Sequence, residues 1–142
     1  MAQRRVLVTG ASGLIGRIVL ERLGGKYAFS ALNRRPVEGI PCTQADIADF
    51  EAIRPAFEGI DTVLHLAGYT GSPEDPRVED WNGNLQGHII GTRNALEASR
   101  LAGVRRFVFV SSGCAILGYE REEPYCYLVS GEYDRVPESW PM

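Results

Sequence analysis

Lysine is nearly absent from this chain: Lys26 is the only one in 142 residues, and every other basic residue is an arginine. Any chemistry that needs a lysine beyond residue 26 is thereby excluded. Acidic residues outnumber basic ones, 18 to 15, for a formal net charge of −3, which argues against a nucleic-acid or anionic-membrane surface. No apolar run approaches the roughly 20 residues of a bilayer-spanning helix. Met1-Ala-Gln-Arg-Arg leads straight into an apolar segment, without the length of a signal peptide's apolar core and cleavage site. A cytoplasmic protein is expected. Cysteines number three, Cys42, Cys114 and Cys126, and an odd count without metal-type spacing suits reduced thiols better than a disulfide framework. His65 and His88 have no metal partner nearby in sequence, so no metal is expected. At 142 residues the chain is long enough for one domain with a real core and too short for two full-sized ones.

What is present is concentrated in Val6-Leu-Val-Thr-Gly10-Ala-Ser-Gly13-Leu-Ile-Gly16. Val6 to Val8 read as a strand buried on both faces, which passes through three glycines into helix-period spacing. Gly10, Gly13 and Gly16 stand where a tight turn, close ligand approach and helix-on-sheet packing each exclude a Cβ. Ser12 is placed to cap the helix that follows. The first-turn N–H groups of that helix lack intrahelical partners and carry the positive end of the macrodipole, so a pyrophosphate fits there without a lysine. The alternative is a glycine-rich turn in some other α/β domain.

The remaining chain alternates strands and helices. Leu14, Ile15, Ile18, Val19 and Leu23 recur at helical spacing, and Gly24-Gly25 supplies the stop. Tyr27 to Leu32 reads as a second strand, ending at Asn33-Arg34-Arg35, about twenty residues past the first glycine, where a dinucleotide fold inspects the adenosine ribose. No carboxylate stands there. Asn33 and the arginines offer donors for a 2′-phosphate, which favours NADP over NAD; two solvated arginines before the Pro36 turn are the alternative. Pro41 to Ala45 is a short third strand, and Asp46 or Asp49 caps the helical pattern Phe50, Ile53, Ala56, Phe57. Asp61 to Leu66 is a buried strand ending His65-Leu66-Ala67-Gly68, where small residues admit a ligand to the backbone. His65 reads as a packed strand histidine rather than a catalyst. A loop from Tyr69 to Arg77 lies at the carboxyl end of the sheet, where open α/β folds bind substrate. From Trp81 to Leu101 the pattern is helical, strongest over Ile89, Ile90, Thr92, Ala95, Leu96, Ala98 and Leu101. Val104 to Val110 is a fifth strand, apolar as a strand covered on both faces must be. Right-handed crossovers wind these elements into an α/β, doubly wound parallel sheet of order 3-2-1-4-5.

Thr9 with its Gly-x-x-Gly-x-x-Gly spacing resembles the Thr-Gly-x-x-Gly-x-x-Gly signature of the extended short-chain dehydrogenase/reductase family, which includes sugar-nucleotide epimerases, dehydratases and uronate dehydrogenases. The resemblance extends over residues 4–118. Asp46-Ile47 matches the acid and apolar residue that border the adenine in that family. His65-Leu66-Ala67-Gly68 is similar to its His-Leu-Ala-Ala alongside the cofactor. His88-Ile89-Ile90-Gly91-Thr92-Arg93-Asn94 resembles its Asn-Val-x-Gly-Thr-x-Asn, with His88 in place of an asparagine that helps organise the active site. An imidazole still donates or accepts one hydrogen bond. The resemblance implies a Rossmann fold, incomplete relative to the family, with residues 1–112 as an NAD(P)-binding domain. Its cofactor contacts are expected from Gly10, Ser12, Gly13, Leu14, Ile15, Gly16, Asn33, Arg34, Asp46, Ile47, Leu66, Ala67, Gly68, His88 and Ser111.

The resemblance also implies a catalytic serine after the fifth strand and a Tyr-x-x-x-Lys on the next helix: tyrosine as acid/base, lysine lowering its pKa, serine polarising the substrate oxygen. Ser112 is the candidate serine. Five residues before Gly118, the family spacing, lies Gly113, and Ser111 reads equally as a strand-end residue. With no lysine after Lys26, none of Tyr119, Tyr125, Tyr127 or Tyr133 belongs to a Tyr-x-x-x-Lys, and each reads as lining or packing a loop. Residues 113–142 are expected to be an active-site loop or tail, with no separate substrate domain. Two readings follow. In one, this is the nucleotide-binding part of an epimerase- or dehydratase-type protein whose full-length form acts by hydride transfer on a sugar or sugar-nucleotide-like alcohol. In the other, it is a non-catalytic nucleotide-binding or interaction module. The fifth strand, lacking the family's further strands, is expected to pair with another chain, giving a homodimer or a tendency to aggregate.

Overall fold

The computed structural model describes residues 3–69, 80–112, 123 and 126–131. The expectations placed on Cys114, Gly118, Tyr119, Tyr125 and Tyr133, and on most of the loop reaching to Arg77, lie outside the described residues. The chain divides into two units, Met1–Val110 and Ser111–Met142.

In the first unit, β1 (Arg5–Thr9), β2 (Ala28–Asn33), β3 (Cys42–Gln44), β4 (Thr62–His65) and β5 (Arg106–Phe109) form one parallel sheet of order β3-β2-β1-β4-β5. That is the expected winding. β1 lies at the centre because it is apolar on both faces: Leu7, Val8 and Thr9 are wholly buried. Alternate β1 residues feed two apolar layers. On one face Val6, Val8, Phe29 and Ala31 pack with Val19, Leu20 and Leu23 of α1 (Leu14–Leu23). On the other, Leu7, Leu32 and Val63 pack with Ile53, Phe57, Ala95 and Ala98, contributed by α2 (Phe50–Ile53), the 3₁₀ turn Arg54–Phe57 and a long helical run. That run consists of α3 (Trp81–Asn84), a π-helical turn Leu85–Ile90 and α4 (Gly91–Leu101).

Several expectations are corrected by the packing. The helical spacing of Leu14, Ile15 and Ile18 does not take them into the core; they are 79%, 52% and 49% exposed, because Gly16 and the residues one turn later form the face that meets the sheet. Ser12 does not cap α1. The N-cap is Gly13, with no side-chain cap bond, and Ser12 Oγ is turned to Asn33 instead. Asp49, rather than Asp46, caps α2, accepting from Ala52 N. The helical pattern through Phe57 tightens to a 3₁₀ turn at Pro55, whose ring nitrogen has no N–H to continue the α ladder. On α4 the buried face is Gly91, Asn94, Ala95, Ala98 and Ser99, while Leu96 and Leu101, with Ile89 of the preceding π turn, are exposed. Small residues let the helix approach the sheet, and Ser99 is satisfied by the Ala95 carbonyl at 2.7 Å. Among the described residues β5 is not covered on both faces: Val108 and Phe109, and Val110 just beyond it, are about half exposed.

In the second unit, Ser111 and Ser112 are exposed. A single helical turn, α5 (Cys126–Val129), stands where a loop was expected. Tyr127 is therefore on a helix, and Gly131, with φ +80, occupies the position four residues on where a lysine would be needed.

Phe57 is 0% exposed at the centre of one layer. Phe57→Ala is expected to cost about 3–5 kcal/mol, measured by urea denaturation, with the thermal midpoint falling in parallel.

Candidate functional site

The carboxyl ends of β1 and β4 meet around one buried hydroxyl. Thr9 Oγ1 accepts hydrogen bonds from the N–H groups of Leu66 and Ala67 at 3.2 and 3.1 Å. With both lone pairs engaged, its proton goes to His65 Nδ1, 2.9 Å away. The imidazole then carries its proton on Nε2 and donates it to Thr92 Oγ1 at 3.1 Å. His65 is thus the packed strand histidine expected, with the rings of Phe107 and Phe109 beside it at 5.5 and 5.8 Å between centroids. Burial, reinforced by the charge of His88, lowers its pKa from 6.5 to about 4.

The glycine turn sits directly against this junction. Gly10 has φ +71, and a Cβ there would stand 2.8 Å from Ala67 N, so both its backbone conformation and the closeness of the chain leaving β4 require glycine. A Cβ on Gly16 would meet the Ala11 carbonyl oxygen at 2.5 Å, which is the tight helix-to-turn contact. Gly13 differs: beside it lies only the Gly10 oxygen, at 3.2 Å, and the space is otherwise open. Gly13 N–H closes the turn on Gly10 O, and the first helical bond runs from Arg17 N–H to Gly13 O. The N–H groups of Leu14, Ile15 and Gly16 form no hydrogen bond with any described residue. An open cradle with unpaired amides at the positive end of α1 fits a dinucleotide's diphosphate.

On the β2 side, Asn33 Nδ2 donates to Ser12 Oγ at 3.1 Å and to Arg35 O at 2.8 Å. Both amide hydrogens are spent inside the protein, so Asn33 does not offer them to a 2′-phosphate as expected. It ties the glycine turn to the end of β2 instead. Arg34 and Arg35 are exposed. Beyond β3, Asp46 Oδ1 accepts from Ala48 N at 2.9 Å, leaving an exposed carboxylate in a tight turn. Ile47 packs so closely on Gly91 that a Cβ there would meet its Cγ2 at 2.5 Å. Asn94, buried, donates to the carbonyls of Ile47 and Ala48 at 3.2 and 2.8 Å. One stretch of α4 therefore braces both sides of the rim: Gly91 and Asn94 hold the 46–48 turn, and Thr92 holds His65.

Leu66, Ala67 and Gly68 are half-buried along the edge of the glycine turn, and His88 packs over Gly68. Tyr69 and Asp80 were not singled out by sequence as a pair. Tyr69 Oη donates to Asp80 Oδ2 at 2.8 Å, which pushes the phenol's pKa up, while the Gly83 N–H and then the phenol hold the Asp80 carboxyl down. Tyr69 is thus set opposite to a tyrosine acid/base with a depressed pKa. The available signal was Gly83, Gly87 and Gly91 at four-residue spacing on one helix. Ser111 and Ser112 belong to the second unit.

Residues 6–135 match the model of the NAD dependent epimerase/dehydratase family. The chain is similar to the NAD-dependent glucose-6-phosphate dehydrogenase of Haloferax volcanii, with 36% identity over 81% of this chain and 45% of that protein. It is similar to the uronate dehydrogenase of Agrobacterium fabrum, with 38% identity over 84% and 45%. Among solved structures, a mutant uronate dehydrogenase from Agrobacterium tumefaciens complexed with NAD superimposes with a TM-score of 0.67 and 35% identity, covering 78% of this chain and 42% of that one. The chain spans less than half the length of each of these relatives. Among the described residues, no helix is long and apolar enough to cross a membrane.

The folded pKa of His65 lies below its unfolded value, so as pH falls the unfolded chain binds the proton first. The stability tied to His65 is expected to be complete above pH 6.5 and to decline toward pH 4, by about 3 kcal/mol in all. Urea melts across that range should show this slope in the wild type and a flatter one in His65→Asn.

Proposed function

Because this chain belongs to the NAD dependent epimerase/dehydratase family, we propose that residues 1–112 bind a nicotinamide dinucleotide and that the activity they serve is hydride transfer on a sugar or sugar-nucleotide-like alcohol. The carrying observation is the open cradle over Gly13 with the unpaired N–H groups of Leu14, Ile15 and Gly16. In this reading Gly10, Ser12, Gly13, Leu14, Ile15 and Gly16 enclose the diphosphate. Asp46 and Ile47 border the adenine, the carboxylate accepting from its amino group. Asn33 orients the turn that presents Arg34 to the ribose. Leu66, Ala67, Gly68 and His88 wall the β4 side, and Ser111 and Ser112 contribute from beyond β5, Ser112 to the substrate oxygen. When bound, the nicotinamide supplies the hydride donor or acceptor. Within the cofactor class, exposed Arg34 and Arg35 support NADP, whereas relatives are named for NAD; parallel titrations with NADH and NADPH decide between them. The names of the relatives support a sugar or sugar acid as the substrate class.

A second reading, a nucleotide-binding module without turnover, is favoured by the absence of any lysine after Lys26. Without a Tyr-x-x-x-Lys proton shuttle, a rate factor of about 10²–10⁴ is lost. Turnover of glucuronate or glucose 6-phosphate by this 142-residue chain above that residual level would remove this reading. The half-exposed Val108, Phe109 and Val110 support self-pairing at the β5 edge as a homodimer.

Gly13→Asp separates binding from folding. Aspartate is a good N-cap and suits the φ of −70 at Gly13, so the thermal midpoint should hold, while its carboxylate repels a diphosphate. NADH and NADPH affinity, followed by nucleotide fluorescence, should fall at least about a hundredfold, roughly 2.7 kcal/mol; unchanged affinity would place the site elsewhere. Light scattering at micromolar concentration should give a dimer mass, and a monodisperse monomer would count against pairing at β5.

A further inference from the structure

Three side chains join the backbone leaving β4 to the long helical run. Tyr69 Oη donates to Asp80 Oδ2 at 2.8 Å, and Asp80 Oδ1 accepts from Gly83 N at 2.9 Å, so the carboxylate binds the phenol and the start of α3 at once. His88 Nε2 lies 3.1 Å from Tyr69 N and 2.9 Å from Tyr69 O, and accepts from the one or donates to the other according to its tautomer. The fit is close at three separate glycines. A Cβ would meet the His88 ring at 2.5 Å from Gly68, the Tyr69 ring at 2.5 Å from Gly83, and Tyr69 Cβ at 3.0 Å from Gly87. The π turn Leu85–Ile90, closed by the Gly91 N–H on Gln86 O, carries both Gly87 and His88 in this arrangement.

These contacts share a direction. Gly68 follows β4, whereas Asn33 and Asp46 follow β2 and β3 on the other side of β1. With adenosine on the β2–β3 side and diphosphate at the β1–α1 turn, the second half of a dinucleotide crosses toward β4. We propose that Tyr69, Asp80 and His88 are a clasp of positioning residues that fixes Gly68 as the rim for the nicotinamide-riboside half of the cofactor, an inference that rests on the proposed dinucleotide site.

The test titrates the full chain with ADP and with NADH or NADPH, whichever binds the wild type more tightly, and records thermal midpoints for each variant. His88→Ala should weaken the dinucleotide about tenfold, the scale of one lost hydrogen bond with its packing, and leave ADP within about twofold. His88→Asn, whose amide still bonds the Tyr69 backbone, should recover most of the loss, and Tyr69→Phe, which removes only the hydroxyl, should shift the dinucleotide alone. Equal loss of both ligands, no loss of either, or an asparagine variant as weak as the alanine one would overturn the clasp. A wild-type chain that binds neither ADP nor dinucleotide would overturn the site itself, an outcome distinct from those.

Discussion

The Thr9 hydroxyl is the point on which the rest of the carboxyl rim depends. Where β1 and β4 end, the half-buried N–H groups of Leu66 and Ala67 converge on this hydroxyl, and Leu66 N–H is shared with the Thr9 carbonyl at 3.2 Å. One oxygen accepts both, from Leu66 and Ala67, and passes its own proton to His65. His65 relays the connection to Thr92 on α4, so the central strand, its neighbour and the covering helix are held by a single chain of donors and acceptors. The chain leaving β4 is thereby held against Gly10, where no side chain fits.

Around that junction, close approach is arranged by removing Cβ atoms rather than by adding specific contacts. Gly10 and Gly16 serve the first turn; Gly83, Gly87 and Gly91 serve Tyr69 and Ile47 from one helix. Gly13 alone among the three turn glycines has open space beside it. Packing explains the first five, and the space beside Gly13 is the cradle that the proposed dinucleotide site uses. Polar residues with no place in a hydrophobic pattern serve as braces: Asn94 ties the 46–48 turn to α4, and Asn33 ties the glycine turn to β2.

The chain belongs to the epimerase/dehydratase family and spans less than half the length of the relatives it matches. The family match spans residues 6–135, which take in the glycine turn, the His65 strand end and the Gly91-Thr92 helix. The chain carries these features without a Tyr-x-x-x-Lys. Tyr69, the tyrosine at the rim, has its pKa pushed up by the hydrogen bond to Asp80, which outweighs the opposing charge of Arg34. It anchors backbone at the rim.

Strand order, the glycine turn and the buried role of His65 were legible in the residues, because an all-parallel sheet needs continuous apolar strands and a phosphate turn needs glycine at fixed spacing. Those properties are local, and each is written within about ten residues. What only the tertiary structure decided is where side chains distant in sequence point. Ser12 reads as a cap yet meets Asn33, 21 residues on. Asn33 reads as a donor to ligand yet is spent on Arg35 and Ser12. Leu14, Ile15, Leu96 and Leu101 fall at helical spacing yet lie outside, because periodicity marks an apolar face without stating which sector of it a small-residue helix presents to the sheet. The Tyr69–Asp80 bond pairs two residues with no motif between them, and only the folded backbone brings their atoms within hydrogen-bonding distance.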